Sequence, residues 1–264
     1  MYRSLAIACV LASSPVLAED VPTTLEALGE RLFFDVNLSA NRTQSCATCH
    51  DPEYGFADPR GMASIGDDGH SLGDRNAPSA AYASFTPEFH KNADGIWAGG
   101  QFWDGRANRL EDQAGGPPLN PIEMGMADEA AVIARLLEDP VYTQAFPALF
   151  DDDVLGDPQS GYTAMTDAIA AFERTEVFSP FDSKYDRFLR GEVELTREED
   201  LGRVLFFSEQ FTNCNLCHQL GKSQLDPQET FTNYEYHNIG VPENLALREL
   251  NRLNTSPRDN RPAH

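Results

Sequence analysis

One phrase occurs twice in this chain, and each copy leads to the same attachment motif. Residues 23–34 read TTLEALGERLFF and precede Cys46-Ala47-Thr48-Cys49-His50. Residues 196–207 read TREEDLGRVLFF and precede Cys214-Asn215-Leu216-Cys217-His218. CxxCH is the attachment signature of c-type haem. The two thiols form thioethers with the vinyl groups, and the adjacent His has little choice but to ligate the iron. The pair predicts two covalent haems, held by Cys46, Cys49 and His50 and by Cys214, Cys217 and His218. Two CxxC motifs could instead build a four-cysteine zinc site or a thiol redox pair. The His after each motif and the shared LFF lead-in favour haem.

The lead-ins read as helices. Thr23 with Glu26, and Thr196 with Glu199, form capping boxes. Leu25, Leu28 and Leu32, like Leu201 and Leu205, recur at helical spacing, so each helix should pack its apolar face on the haem that follows. The spacers differ, residues 35–45 against 208–213, so the two copies are related but not interchangeable. Residues 51–127 are rich in Gly, Pro, Asp and Asn and should form long loops with short helices. A loop region that large in an ordered protein usually has a function. Asp128 caps a predicted helix through Glu138 that stops before Pro140. Another runs near Thr163 to Val177, with Met165, Ile169 and Phe172 on its buried side. No stretch reads convincingly as a strand. The expected class is mainly α: two cytochrome c-like haem domains with long loops, residues 19–180 and 181–264, divided at Ser179–Asp182.

Residues 1–18 look like an export signal, with Arg3, a short apolar run from Leu5 to Leu11, and a Val16-Leu17-Ala18 cleavage site. A periplasmic location follows as an expectation. That run is too short to span a bilayer, and no later run is apolar enough, so membrane insertion is not expected. Cys9 leaves with the signal unless it carries a lipid anchor. The other four cysteines all belong to the CxxCH motifs, so the haems rather than disulfides are the covalent staples. Net charge is -22, from 42 acidic and 20 basic residues. Nucleic acid and anionic membrane surfaces are excluded as partners on that ground. The acid either keeps an exported protein soluble or speeds encounter with a basic redox protein.

Two haems with a large insertion suggest that one carries electrons and the other does chemistry, near the loops that follow His50. Residues 101–126 hold the candidates, and here the chain resembles a family. Phe102-Trp103-Asp104-Gly105-Arg106, Gln113, Pro117 and Glu123-Met124 are similar to the distal-pocket signature of bacterial di-haem cytochrome c peroxidases and their MauG-type relatives. Arg75-Asn76-Ala77-Pro78-Ser79 and His237-Asn238-Ile239-Gly240-Val241-Pro242 add to the likeness. The resemblance implies that Glu123 is the acid–base group, moving a proton between the two oxygens of peroxide. It implies that Gln113 orients peroxide and water, that Trp103 lies between the haems and relays electrons, and that Asn76 gives a side-chain oxygen to calcium. Asp104 and Arg106 serve haem propionates or hold the turn, the second being favoured. His237 reads as structural or haem-edge rather than as an iron ligand, and Trp97 has no assigned role.

Two departures from the family's pattern stand out. Many members ligate the first haem through a His in the loop before the Arg75-Asn76 segment. The aligned position, after Ser64-Ile65-Gly66, holds Asp67; His70, three residues on, either reaches the iron or points to solvent. The family also continues past residue 264 into a part that carries the second haem's distal ligand, Met in peroxidases and Tyr in MauG-type enzymes. Only His264 stands as a weak substitute, so the chain and its second domain are expected to be incomplete. The leading expectation is an exported peroxidase that reduces hydrogen peroxide with electrons from a small donor, a cytochrome c or cupredoxin, with a homodimer admitted. The alternatives are a MauG-type enzyme that oxidises residues of a partner protein and a non-enzymatic di-haem electron carrier.

Overall fold

The computed structural model describes residues 20–220, 225–226, 228–242 and 244–250. The export signal, Cys9 and His264 lie outside them. The described chain is mainly helical: α1 Leu25–Phe33, α2 Cys46–Cys49, α3 Leu110–Ala114, α4 Gly116–Leu119, α5 Glu129–Leu136, α6 Pro140–Leu149, α7 Pro158–Glu173, α8 Lys184–Leu189, α9 Arg197–Phe206 and α10 Leu245–Leu250. Its paired strands are β1 His90–Lys91 and β2 Trp97–Ala98, antiparallel with His90 opposite Ala98.

The centre is the crossing of α1 and α7. Leu28, Leu32 and Phe33 of α1 are fully buried, as are Met165 and Ala168 of α7, while Ile169 is nearly so. Gly29 makes the crossing close, because a Cβ there would overlap the carbonyl oxygen of Ala168. Phe33 meets Phe172 and Phe178 edge-on, each with ring centroids 5.5 Å apart, an arrangement aromatic quadrupoles favour. The main apolar core runs from Leu28 to Phe178.

Several element boundaries differ from expectation. The cap of α1 is Thr24, whose hydroxyl accepts from the Ala27 amide at 3.2 Å, rather than Thr23. Glu26 then falls in the first turn without closing a box. Thr196 and Glu199 do close theirs, by Glu199 N–H to Thr196 Oγ1 at 3.2 Å and Thr196 N–H to Glu199 Oε2 at 2.7 Å. Asp128 caps α5 as read, but Pro140 starts a helix as well as following one. It is the first residue of α6, with Asp139 accepting from the Val141 amide at 2.8 Å, because proline lacks only an N–H that the first turn leaves unused. The same logic starts α7 at Pro158, earlier than read, under an Asp157 cap.

The second copy of the phrase does not repeat the first in packing. No residue of α9 is buried, and Leu201 is 57% exposed. A Cβ on Gly202 would meet nothing within 4 Å. Residues 234–236 join the earlier part instead. Gly99 N–H donates to Tyr234 O and Tyr236 N–H to Trp97 O, each at 2.9 Å.

Candidate active site

The helical turn α2 makes one wall. Three residues of separation put Cys46 and Cys49 on one face, and the His50 amide closes the turn on Cys46 O at 2.9 Å. The His50 ring donates through Nδ1 to the Phe56 carbonyl at 3.1 Å. That bond sets Nδ1 as the donor and makes Nε2 the nitrogen suited to a metal, the usual arrangement for a ligating His. Burial lowers the His50 pKa, which keeps the ring neutral.

Opposite stands the loop from Phe102 to Arg106, pinched off by an antiparallel bridge between Gln101 and Ala107. Phe102 sits at φ 65°, in the left-handed region that an aromatic residue rarely adopts. The Arg106 guanidinium lies 3.6 Å over its ring. Asp104 accepts from Arg106 and from Arg75, both at 2.8 Å, so these residues hold the turn, the reading favoured above. Trp103 is 55% exposed, and its indole N–H donates to the Asn76 carbonyl at 2.7 Å.

Glu123 arrives on a backbone knot. Its N–H bonds to Asn120 O at 3.0 Å, Met124 N–H to Pro117 O at 3.2 Å and Met126 N–H to Pro118 O at 2.9 Å. Burial pushes the Glu123 carboxyl up; Arg106 pulls it down and Asp74 adds a further upward push. Gln113 projects from α3, which packs on α7.

Cys46, Cys49, His50, Gln113, Glu123, Trp103 and Asn76 all line one cavity, with about 1150 Å³ of empty space including its mouth. Two thiols and an imidazole on one wall, with a neutral-leaning acid and an amide facing them, fit a c-type haem. A four-cysteine zinc site is not assembled here, because Cys214 and Cys217 of the second motif do not line this cavity. Among the described residues no group of three or more His, Cys, Asp or Glu is arranged to hold a metal ion.

Other candidates stand elsewhere. His70 is exposed on a turn capped by Asp68 and is not part of the cavity wall. Asp67 is buried and turned to the other side, accepting from Asn41 N–H at 2.6 Å and Thr43 Oγ1 at 2.5 Å, while its own N–H bonds to Glu123 O at 2.7 Å. The position aligned with a distal ligand thus braces the Glu123 turn. Asn76 is exposed, with Nδ2 3.4 Å from Met62 O. Cys217 and His218 lie at the surface, with the His218 ring 5.9 Å from that of Phe206.

Three residues gained roles that sequence reasoning missed. Trp97 stacks on Phe89 at 4.7 Å and anchors the 234–236 segment through its carbonyl. Arg75 braces Asp104. Glu173 lines the cavity although it sits on a core helix; a charged residue one turn after Ile169 on that buried stripe was the available signal.

A family model described as "Di-haem cytochrome c peroxidase" matches residues 23–194. The chain is 52% identical over 254 residues to the methylamine utilization protein MauG of Paracoccus denitrificans, covering 94% of this chain and 65% of that protein. It is 38% identical to the cytochrome c peroxidase Ccp of Escherichia coli, covering 90% of this chain and 48% of that protein. The crystal structure of the diheme peroxidase BthA from Burkholderia thailandensis superposes with a TM-score of 0.79 at 34% identity, over 85% of this chain and 56% of that one. The chain thus spans about half to two thirds of the length of these relatives.

Proposed function

The chain belongs to the di-haem cytochrome c peroxidase family that includes MauG, and from that premise we propose that its work is the activation of hydrogen peroxide in the cavity walled by Cys46, Cys49 and His50. Membership brings two covalently bound c-type haems. The observation that carries the proposal is the convergence of Glu123 and Gln113 on the cavity that also holds the first attachment motif.

A haem bound there supplies the electrons and the coordination position that peroxide needs. The protein's own part is proton management. Glu123 takes a proton from one peroxide oxygen on its ionised carboxylate and delivers it to the other; the upward push of burial makes that carboxylate a stronger base. The departing group then leaves as water rather than as hydroxide, a much poorer leaving group. The Gln113 amide donates and accepts, which holds the peroxide in line. Pro117 fills the wall beside them and offers no N–H to compete.

Residues 19–180 form the peroxidatic domain in this reading, and residues 181–264 contribute the electron-accepting haem at His218. Trp103 relays electrons, and a small donor such as a cytochrome c or cupredoxin supplies them. The export signal assigns the protein to the periplasm.

One observation favours the second reading, oxidation of residues on a partner protein. The identity to MauG is 52%, against 38% to the Escherichia coli peroxidase. Peroxide consumption that needs a protein substrate and no exogenous donor would select it.

Stopped-flow peroxide reduction with a ferrous haem protein as donor tests the shared core. Glu123→Gln should lower turnover about 10²–10⁴-fold, the usual contribution of acid–base catalysis, with haem content unchanged. Wild-type turnover in that variant removes Glu123 from the mechanism.

A further inference from the structure

The cavity has a second carboxyl that the peroxide chemistry does not use. Glu173 ends α7 and is 5% exposed. It lines the cavity together with Cys46, His50 and Glu123, and its Oε2 is buried with no hydrogen-bond partner. Ile169, one turn earlier, lines the same wall, so the last turn of α7 turns this face to the cavity. The cation nearest in sequence is committed elsewhere, because Arg174 Nη2 pairs with Glu111 Oε1 at 2.7 Å. The other Glu111 oxygen is also buried without a partner. Two uncommitted carboxyl oxygens therefore lie at the seam of α3 and α7, near enough for Glu111 to raise the Glu173 carboxyl; Glu173 lines the cavity, and the Glu111 side chain is 22% exposed.

We propose that Glu173 is a positioning residue of the cavity, a carboxyl that takes up one proton from water by way of Glu111 as the haem held by Cys46, Cys49 and His50 takes up one electron from a one-electron donor, and that releases the proton when the electron leaves. The charge balance is one proton for one electron. A ferric haem carries one net positive core charge that would offset an ionised carboxyl beside it; an added electron cancels that charge and leaves the carboxylate uncompensated in a poorly hydrated site, where charges are costly. Each carboxyl feels one guanidinium that is already paired elsewhere, Arg106 with Asp104 for Glu123 and Arg174 with Glu111 for Glu173. Burial pushes the Glu173 carboxyl up to about 8, with Arg174 pulling it down and Glu111 pushing it further up. The titratable or charged groups around it are Glu111 on α3 and Arg109 at its N-cap, Asp167 on α7 and Arg174 at its C-cap, Cys46 on α2, and Glu123 across the cavity.

The inference rests on the haem assignment proposed above, and its test separates the two. The full chain with both haems attached is titrated spectroelectrochemically from about pH 6 to about pH 10, two units either side of the carboxyl's range. The relevant couple is the one missing when Cys46 and Cys49 are replaced by Ser. In the wild type its midpoint should fall with pH at up to ~59 mV per tenfold drop in proton activity, the one-electron, one-proton limit. Glu173→Gln should at least halve that slope, whereas any Glu123 contribution stays common to both proteins. An unchanged slope overturns the proposal. If the Gln variant attaches no haem, Glu111→Gln decides: loss of its charge should move the sloping window to lower pH, and an unmoved window overturns the proposal. A wild-type chain that attaches no haem at Cys46 and Cys49 sinks the haem reading as well, whereas a loaded chain with an unaltered slope sinks this inference alone.

Discussion

Glu123 and Glu173 line the same cavity, and burial raises both. For Glu173 the shift is large enough to bear on stability. A carboxyl whose folded pKa lies above its unfolded value holds its proton where the unfolded chain has released it. Its contribution is then fully present below the ordinary carboxylate range and is lost as pH rises through about 8 for Glu173. With the haems kept ferrous, so that the iron adds no charge, denaturant unfolding should show stability falling above the carboxylate range by on the order of 1 kcal/mol per pH unit. Glu173→Gln should flatten that decline, and equal declines in the two proteins would mean that the carboxyl is already ionised. Asp67 shows the opposite arrangement. Burial raises it, but bonds from Thr43, Asn41 and Ser39 outweigh that and lower its pKa, so it is a bracing carboxylate and not a proton carrier.

The two copies of the repeated phrase separate at the scale of the helix. In α1 the glycine lies against the backbone of α7, whereas Gly202 in α9 has open space. Gly29→Ala must push the helices apart and should cost roughly 3 kcal/mol or more, the severe end of overpacking. Gly202→Ala should gain about 1 kcal/mol from helix propensity alone. Thermal or urea unfolding of the two variants measures the contrast, and equal effects would mean that α9 finds a close neighbour in solution. Much of this level was legible in the sequence. The Thr196–Glu199 box, the Asp128 cap and the Met165, Ile169 and Phe172 stripe each depend on contacts within one element, where spacing settles the answer. The single-residue move from Thr23 to Thr24 was not legible, because two adjacent threonines are equally good caps and tertiary fit chooses between them. Pro140 was half read, since a residue that stops one helix also starts the next. The cavity was legible as a set of residues but not as an arrangement: Glu123 and Gln113 came from a signature, whereas Glu173 enters from α7, far away in sequence, and only folding brings it beside Cys46.

At the scale of the whole molecule, the buried core spans Leu28 to Phe178, while the second attachment motif lies toward the surface. In the function proposed above the His218 haem receives electrons from outside, and the charge around it then bears on rate. With 42 acidic and 20 basic residues the net charge is -22, enough to set up a field that extends beyond contact distance at low salt. The Debye length is ~30 Å at 0.01 M and ~8 Å at 0.15 M ionic strength. If the acid steers a donor, the second-order rate of reduction by a basic ferrous cytochrome c should fall at least about tenfold between those two conditions. If it only keeps the protein soluble, the rate with that donor should stay nearly constant. An acidic cupredoxin supplies the complementary measurement. Repulsion is screened as attraction is, so its rate should rise with salt over the same interval. Opposite signs for the two donors identify the long-range field as the selecting agent, whereas a common sign for both would place selection in short-range contacts at the docking surface.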